Sequence, residues 1–209
     1  MEFRRALHAG ASEERLAQLM QERSAPNADR AVIDQRIWDL FGERWAVMFT
    51  DLSGFSRQVA EFGIVHFLQV LYSAEQLLMP IIAAHDGVLL KVEGDSYLVI
   101  FRKPAKALAA ALDMQERLRA WNEGLAGEDQ VLLCVGLGFG DMLRIGDRDV
   151  FGEEVNAASK LGEDTAQAYE ILVTEALRET AAAEPRVTGI VPLTEPPKAV
   201  PAAYRLDYT

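Results

Sequence analysis

The sequence predicts a mixed α+β domain built on a ferredoxin-like βαββαβ unit and preceded by a helical extension. Three observations predict it. Short apolar runs of strand length occur at 45–50, 88–92, 96–101 and 131–139. Long stretches with helical spacing of apolar residues separate the first run from the second and the third from the fourth. The second and third runs are joined only by Glu93-Gly94-Asp95, a tight hairpin signal. That order of elements is the split βαβ pattern.

Residues 1–43 read as a polar helical extension. Leu7, Leu16, Leu19 and Met20 make a weak helical stripe, and SAPNAD (24–29) breaks it with Pro26 and Asn27. A second helix is expected from Asp29 to Phe41. Its broad apolar face, Val32, Ile33, Ile37, Trp38, Leu40 and Phe41, must pack on something. Periodicity shows burial without naming its target. Packing on the chain's own domain and use as a dimerisation or signal-input segment therefore both stay open.

The main domain is expected over 44–209. WAVMFT (45–50) suits a buried strand, and a helix is expected from Ser56 to Ala84 with a bend at Pro80. His85-Asp86-Gly87 makes a turn before the strands VLLKV and SYLVIF. Pro104 opens a helix that runs to Trp121, because proline suits the first helical turn. NEGLAGED (122–129) is a loop before the strand VLLCVGLGF (131–139). Residues 140–148 read as a turn-rich connection, 153–162 as a short helix and YEILVT (169–174) as a strand.

Composition excludes several classes. The chain has 209 residues, half of them hydrophobic, enough for one compact domain with an appendage. A net charge of −11 repels polyphosphate backbones at long range, so no nucleic-acid partner is expected. The single cysteine, Cys134, lies in an apolar run and reads as a buried small hydrophobe. No apolar run approaches the roughly 18 residues that span a bilayer. The N-terminus lacks the apolar core of a secretory signal. A cytoplasmic protein with no membrane partner is the expectation.

Two carboxylates stand out. Asp51 directly follows the first strand, and Asp95 lies in the turn that enters the third. First and third strands are sheet neighbours in a βαββ unit, so the two acids can meet at one sheet end. Such a pair repels itself or binds a divalent cation. Ser53-Gly54-Phe55-Ser56 then turns into a helix start, where free amides favour phosphate and Gly54 permits close backbone approach. The plain alternative makes Asp51 and Ser56 helix-capping residues and Asp95 a turn residue.

The segments FTDLSGFS (49–56), LKVEGDSYLVIF (90–101), VGLGFG (135–140) and DVFGEEVNAASK (149–160) resemble class III adenylyl and guanylyl cyclases, in order and with compatible spacing. The resemblance spans roughly 44–178 and extends more loosely through PAAYRL (201–206). It implies that Asp51, Asp95 and the backbone carbonyl of Leu52 hold two divalent cations, Mg2+ or Mn2+. It assigns Asn156 to the ribose, while the turn into the helix start makes Gly54, Phe55 and Ser56 the candidates for binding the substrate phosphates. Lys91 and Asp149 match the base-reading positions of the adenylyl type, and their chemistry agrees. Adenine offers an acceptor at N1 and a donor at N6, while lysine only donates and ionised aspartate only accepts. Guanine reverses that pattern. Without the motif context the same two residues read as solvated strand-edge charges.

Where the family carries an arginine that stabilises transition-state charge, this sequence has Lys160, four residues after Asn156 and on the same helical face. Lysine keeps the charge and loses the planar fork. The family's Lys-Gly near the C-terminus is not preserved in LTEPPKAVPAAY, and Lys198 aligns only with a shift. His66 and His85 fall in no motif. The resemblance implies a homodimer in which metal and base-reading residues of one site come from different subunits. An adenylate cyclase acting on ATP is the expectation, and a non-catalytic cyclase-like binding module is the alternative.

Overall fold

The computed structural model describes residues 11–209, the side chains of residues 55–58 excepted. Leu7 thus lies outside the described residues. The extension is a helical hairpin, α1 (Ala11–Arg23) and α2 (Arg30–Phe41). Asp29 caps α2 by accepting from the Val32 amide at 3.2 Å, which satisfies one otherwise unpaired helix-start donor. Arg23 clamps Asp34 with two hydrogen bonds of 2.5 and 3.1 Å. Leu19, Ile33, Ile37 and Phe41 form a small core with Ile145 of the main domain.

Strand β1 (Gly42–Leu52) starts directly at the end of α2. A Cβ on Gly42 would lie 2.5 Å from the Trp38 carbonyl, so only glycine allows helix to pass into strand without a linker. The expected single helix 56–84 is two helices, α3 (Phe55–Phe62) and α4 (Ile64–Ala84). Gly63 breaks them apart at φ 87°, a conformation that side chains disfavour. Helix α4 continues through Pro80. It is also long and apolar enough to cross a bilayer, with a mean hydropathy of 1.4, contrary to the expectation that no run comes near that length. One face of it, including Phe67, Ala74, Leu78 and Ile82, is buried in the domain.

The hairpin β2 (Val88–Glu93) and β3 (Ser96–Phe101) leads to α5 (Pro104–Asn122) and β4 (Leu133–Ile145). Asn122 exchanges two hydrogen bonds with Val131, of 2.8 and 2.9 Å, and so ties the end of α5 to the start of the next strand. The sequence ends that strand at 139, yet it runs to Ile145. The polar residues of 140–145 look loop-like alone, but Gly42, Glu43 and Arg44 of the longer β1 supply ladder partners for them. The turn-rich stretch shrinks to Gly146–Arg148 before β5 (Asp149–Phe151). Helix α6 (Glu153–Ser159) then widens into a π-turn at Lys160–Thr165, instead of one helix over 153–162. Strand β6 (Ile171–Thr174), α7 (Arg178–Ala182), β7 (Val187–Pro192) and β8 (Ala203–Tyr208) complete the chain.

The sheet order is β2-β3-β1-β4-β6-β8-β7, with β5 paired to the end of β4. Its first four strands are antiparallel neighbours in ferredoxin-like order. Helices α4 and α5 cover one face over a core that includes Met48, Val99, Phe101, Leu108 and Leu137. Helix α6 packs on the other face against Trp45, Val47, Leu98, Ile100 and Met142. The βαββαβ expectation therefore holds, with an added C-terminal hairpin.

Candidate active site

The ladder between β1 and β3 places the first acid. Thr50 pairs with Tyr97, which sets Asp51 beside Ser96 and next to Asp95 in the turn. The Ser96 hydroxyl donates to Asp51 Oδ1 at 3.2 Å. Burial pushes the Asp51 carboxyl up to about 6, the neighbouring Asp95 charge pushes the same way, and the Ser96 bond only partly opposes them. Burial also raises Asp95, against hydrogen bonds from its own amide and that of Leu52. Two half-buried acids that each resist ionisation are what a divalent cation would relieve. Among the described residues no three His, Cys, Asp or Glu side chains form a metal cluster. A cation here would thus rely on two carboxylates plus water or phosphate, a donor set that suits Mg2+.

Leu52 ends β1 with its side chain in the core. Gly54 follows with φ 90° at the start of α3, which has no side-chain cap, so Asp51 does not cap it. The side chains of Phe55 and Ser56 lie outside the described residues.

Lys91 and Asp149, far apart in sequence, meet at 2.7 Å, and Glu93 stands 3.4 Å from the same ammonium. They are therefore not isolated surface charges. The Asp149 hydrogen bond raises the Lys91 pKa despite partial burial, so the lysine stays a donor. Lys91, Glu93 and Asp149 line a cavity of about 110 Å3 with Ser96, the residue bonded to Asp51, and Glu163. The fold thus brings Lys91 and Asp149 to one cavity with the serine that bonds Asp51. Asn156 is exposed and opens instead into a separate cavity of about 480 Å3 bounded by Ala199–Ala202. The Lys160 amide bonds to the Asn156 carbonyl, so both residues lie one turn apart as expected. Among the described residues Lys160 has no ion-pair partner, and Lys198 is exposed.

Three features escaped sequence reasoning. Gly136, Gly138 and Gly140 share one face of β4. A Cβ on Gly136 would stand 2.2 Å from the Ala158 carbonyl, and one on Gly138 would stand 2.6 Å from the Glu154 carbonyl. This bare stripe lets α6 lie against the sheet, and the period-two spacing of glycines was the available signal. Glu154 anchors the same helix by accepting from the Phe139 amide at 3.0 Å and the Thr174 hydroxyl at 2.6 Å. Glu163 adds negative charge near Asp51. Elsewhere His66 meets the Glu128 carbonyl and His85 the Asp113 carboxylate, both away from this site. A larger cavity of about 730 Å3 holds none of the expected site residues and is lined by Asp39, Glu43, Asp141, Glu153 and Glu154, a poor host for a triphosphate.

Residues 42–188 match the family model described as the adenylate and guanylate cyclase catalytic domain. The chain belongs to this cyclase family. It is 33% identical over 144 residues to the serine/threonine-protein kinase pkn2 of Myxococcus xanthus, covering 66% of this chain and 17% of that protein. It is 35% identical over 150 residues to an adenylate cyclase of Mycobacterium bovis, covering 64% and 32%. A putative adenylate cyclase 3 of Rhizobium meliloti is 28% identical over 116 residues, covering 56% and 20%. The chain thus spans a third or less of these relatives' lengths. Among solved structures it is similar to the guanylyl cyclase Cya2, with a TM-score of 0.65, 20% identity and coverage of 80% and 92%. It is also similar to an adenylate/guanylate cyclase/hydrolase from Silicibacter pomeroyi, with a TM-score of 0.66, 23% identity and coverage of 79% and 95%. These two likenesses establish the cyclase fold.

Proposed function

We propose that this chain is an adenylate cyclase that converts ATP to 3′,5′-cyclic AMP and pyrophosphate in a homodimer. The Lys91–Asp149 pair carries the reading. At 2.7 Å it presents one donor beside one acceptor, the complement of the adenine edge. Guanine would leave polar groups mismatched, at about 1–3 kcal/mol each when buried. Asp51, Asp95 and the Leu52 carbonyl would hold two divalent cations, which supply activation of the ribose 3′-hydroxyl and neutralise phosphate charge. Gly54 and the amides at the start of α3 cradle phosphate, together with Phe55 and Ser56. Asn156 orients the ribose, and Lys160 faces the charge that builds as the bond to pyrophosphate breaks.

Lys91 and Asp149 line a cavity of about 110 Å3 and a cleft of about 640 Å3, and neither Asp51 nor Asp95 lines either one. A second copy would bring its own acidic pair to them. Phe62, Ile64, Val65, Leu68 and Tyr72 also expose a continuous apolar strip on α3 and α4 that such a copy would cover. We place the enzyme in the cytoplasm and assign residues 1–43 to dimerisation or regulation. Lys160 at the arginine position favours a second reading, a slow or inactive cyclase-like module that binds nucleotide and signals.

Purified protein is incubated with ATP or GTP and Mg2+ or Mn2+, beside an Asp51→Ala control, and products are resolved by chromatography. Cyclic AMP from ATP that vanishes in the control is the expected result. Verified dimer and ATP binding without cyclic product from either nucleotide would select the signalling module instead.

A further inference from the structure

The β4–β5 ribbon that presents Asp149 is short, and it is anchored by two side chains. Strand β5 is three residues long, among the described residues pairs only with β4, and is joined to it by the three-residue turn Gly146–Arg148. A two-stranded ribbon of that length is not stable by itself. On one side Val150 enters the core beneath α6. On the other, Ile145, which is 4% exposed, enters the core of the α1–α2 hairpin among Leu19, Ile33, Ile37 and Phe41. Ile145 is also the direct cross-strand partner of Asp149. The hairpin reaches the turn a second time, where Glu13 pairs with Arg148 at 3.1 Å. Leu16, Ala17 and Met20 of α1 line one cleft of about 640 Å3 with Lys91 and Asp149. The exposed Glu13–Arg148 pair contributes little, so the apolar anchor dominates.

We propose that Ile145 is a positioning residue: seated in the α1–α2 hairpin, it holds Asp149 against Lys91, so that displacement of the hairpin alters reading of the base. This rests on Lys91 and Asp149 contacting the base as set out above. The hairpin then acts on substrate recognition and leaves Asp51, Asp95 and Lys160 in place. Loss of a contact made equally in ground and transition states raises KM and spares kcat.

The test uses the full chain with Ile145→Ala, Ile145→Val and Ile37→Ala, the last leaving the ribbon's own sequence intact. Both alanine variants are expected to raise KM for ATP about fivefold or more and to narrow the ATP-to-GTP preference, with kcat within about twofold of the parent. Ile145→Val should restore most of the difference. Hydrogen exchange should show faster exchange at amides 149–151 in Ile37→Ala, with amides of β1 and β3 unchanged. Loss of kcat at constant KM, or unchanged exchange at 149–151, overturns the proposal. If the parent forms no cyclic nucleotide, the assignment of activity fails on its own. The positioning role is then read from exchange and from the affinities of fluorescent ATP and GTP analogues. Equal analogue affinities in parent and Ile37→Ala sink it.

Discussion

At residue scale the chemistry turns on whether a compact charge can replace a planar one. Lys160 stands one turn after Asn156, half-buried, without an ion-pair partner among the described residues. Its charge is therefore free to meet phosphate. An ammonium meets one oxygen well, whereas a guanidinium grips two in a planar fork. Lys160→Arg is expected to raise kcat for cyclic AMP formation about tenfold, the equivalent of one added charged hydrogen bond in the transition state. Steady-state kinetics with ATP decide it, and an unchanged or lower kcat would show that the site has adapted to lysine. The identities of Asp51, Asp95, Lys91 and Asp149 were all legible as motif positions. The 2.7 Å meeting of Lys91 with Asp149 was not, because residues 149–151, which form β5, carry no strand signal of their own and fall between the expected turn and helix.

At element scale the placement of α6 depends on missing side chains. Gly136 faces the Ala158 carbonyl and the Gly162 amide so closely that a Cβ would stand 2.2 and 2.3 Å from them. Neither backbone atom can move without shifting α6 and the π-turn that carries Lys160. Gly136→Ala is expected to destabilise the fold by about 2 kcal/mol or more, through overpacking against backbone. Gly127→Ala is the matched control. Nothing lies within 4 Å of its added methyl, so its effect should be near zero or slightly stabilising. Urea denaturation of both variants compares them, and equal midpoints would refute the close-packing account. The same scale shows where sequence reading stops. Continuous apolar runs located the strands buried on both faces, such as SYLVIF. They stopped short in 140–145, where pairing with Gly42–Arg44 makes the strand, and they did not place β7 or β8, which extend the far sheet edge. Gly63 inside an otherwise helical pattern was a visible break signal, overridden by the long apolar stripe around it.

At the scale of the whole molecule, one copy holds the groups of the proposed site apart. Lys91 and Asp149 line cavities of about 110 and 640 Å3 that neither Asp51 nor Asp95 lines, while Asn156 opens into a third. If two copies complete each other in two-fold fashion, each site takes Asp51 and Asp95 from one subunit and Lys91, Asp149, Asn156 and Lys160 from its partner. An isologous pair then holds two equivalent sites. Asp51→Ala should abolish activity, and Asp149→Ala should leave little of it at ATP well below the parent KM, the concentration at which the mixture is assayed. Mixed in equal amounts and allowed to exchange subunits, they form heterodimers in which one site carries both lesions and the other carries neither. Half the dimers are mixed and half their sites are intact, so the mixture should regain about a quarter of the parent activity. Failure to regain activity, with subunit exchange verified by differently tagged copies, would mean that each site draws all its groups from one chain. The exposed strip on α3 and α4 would then need another explanation.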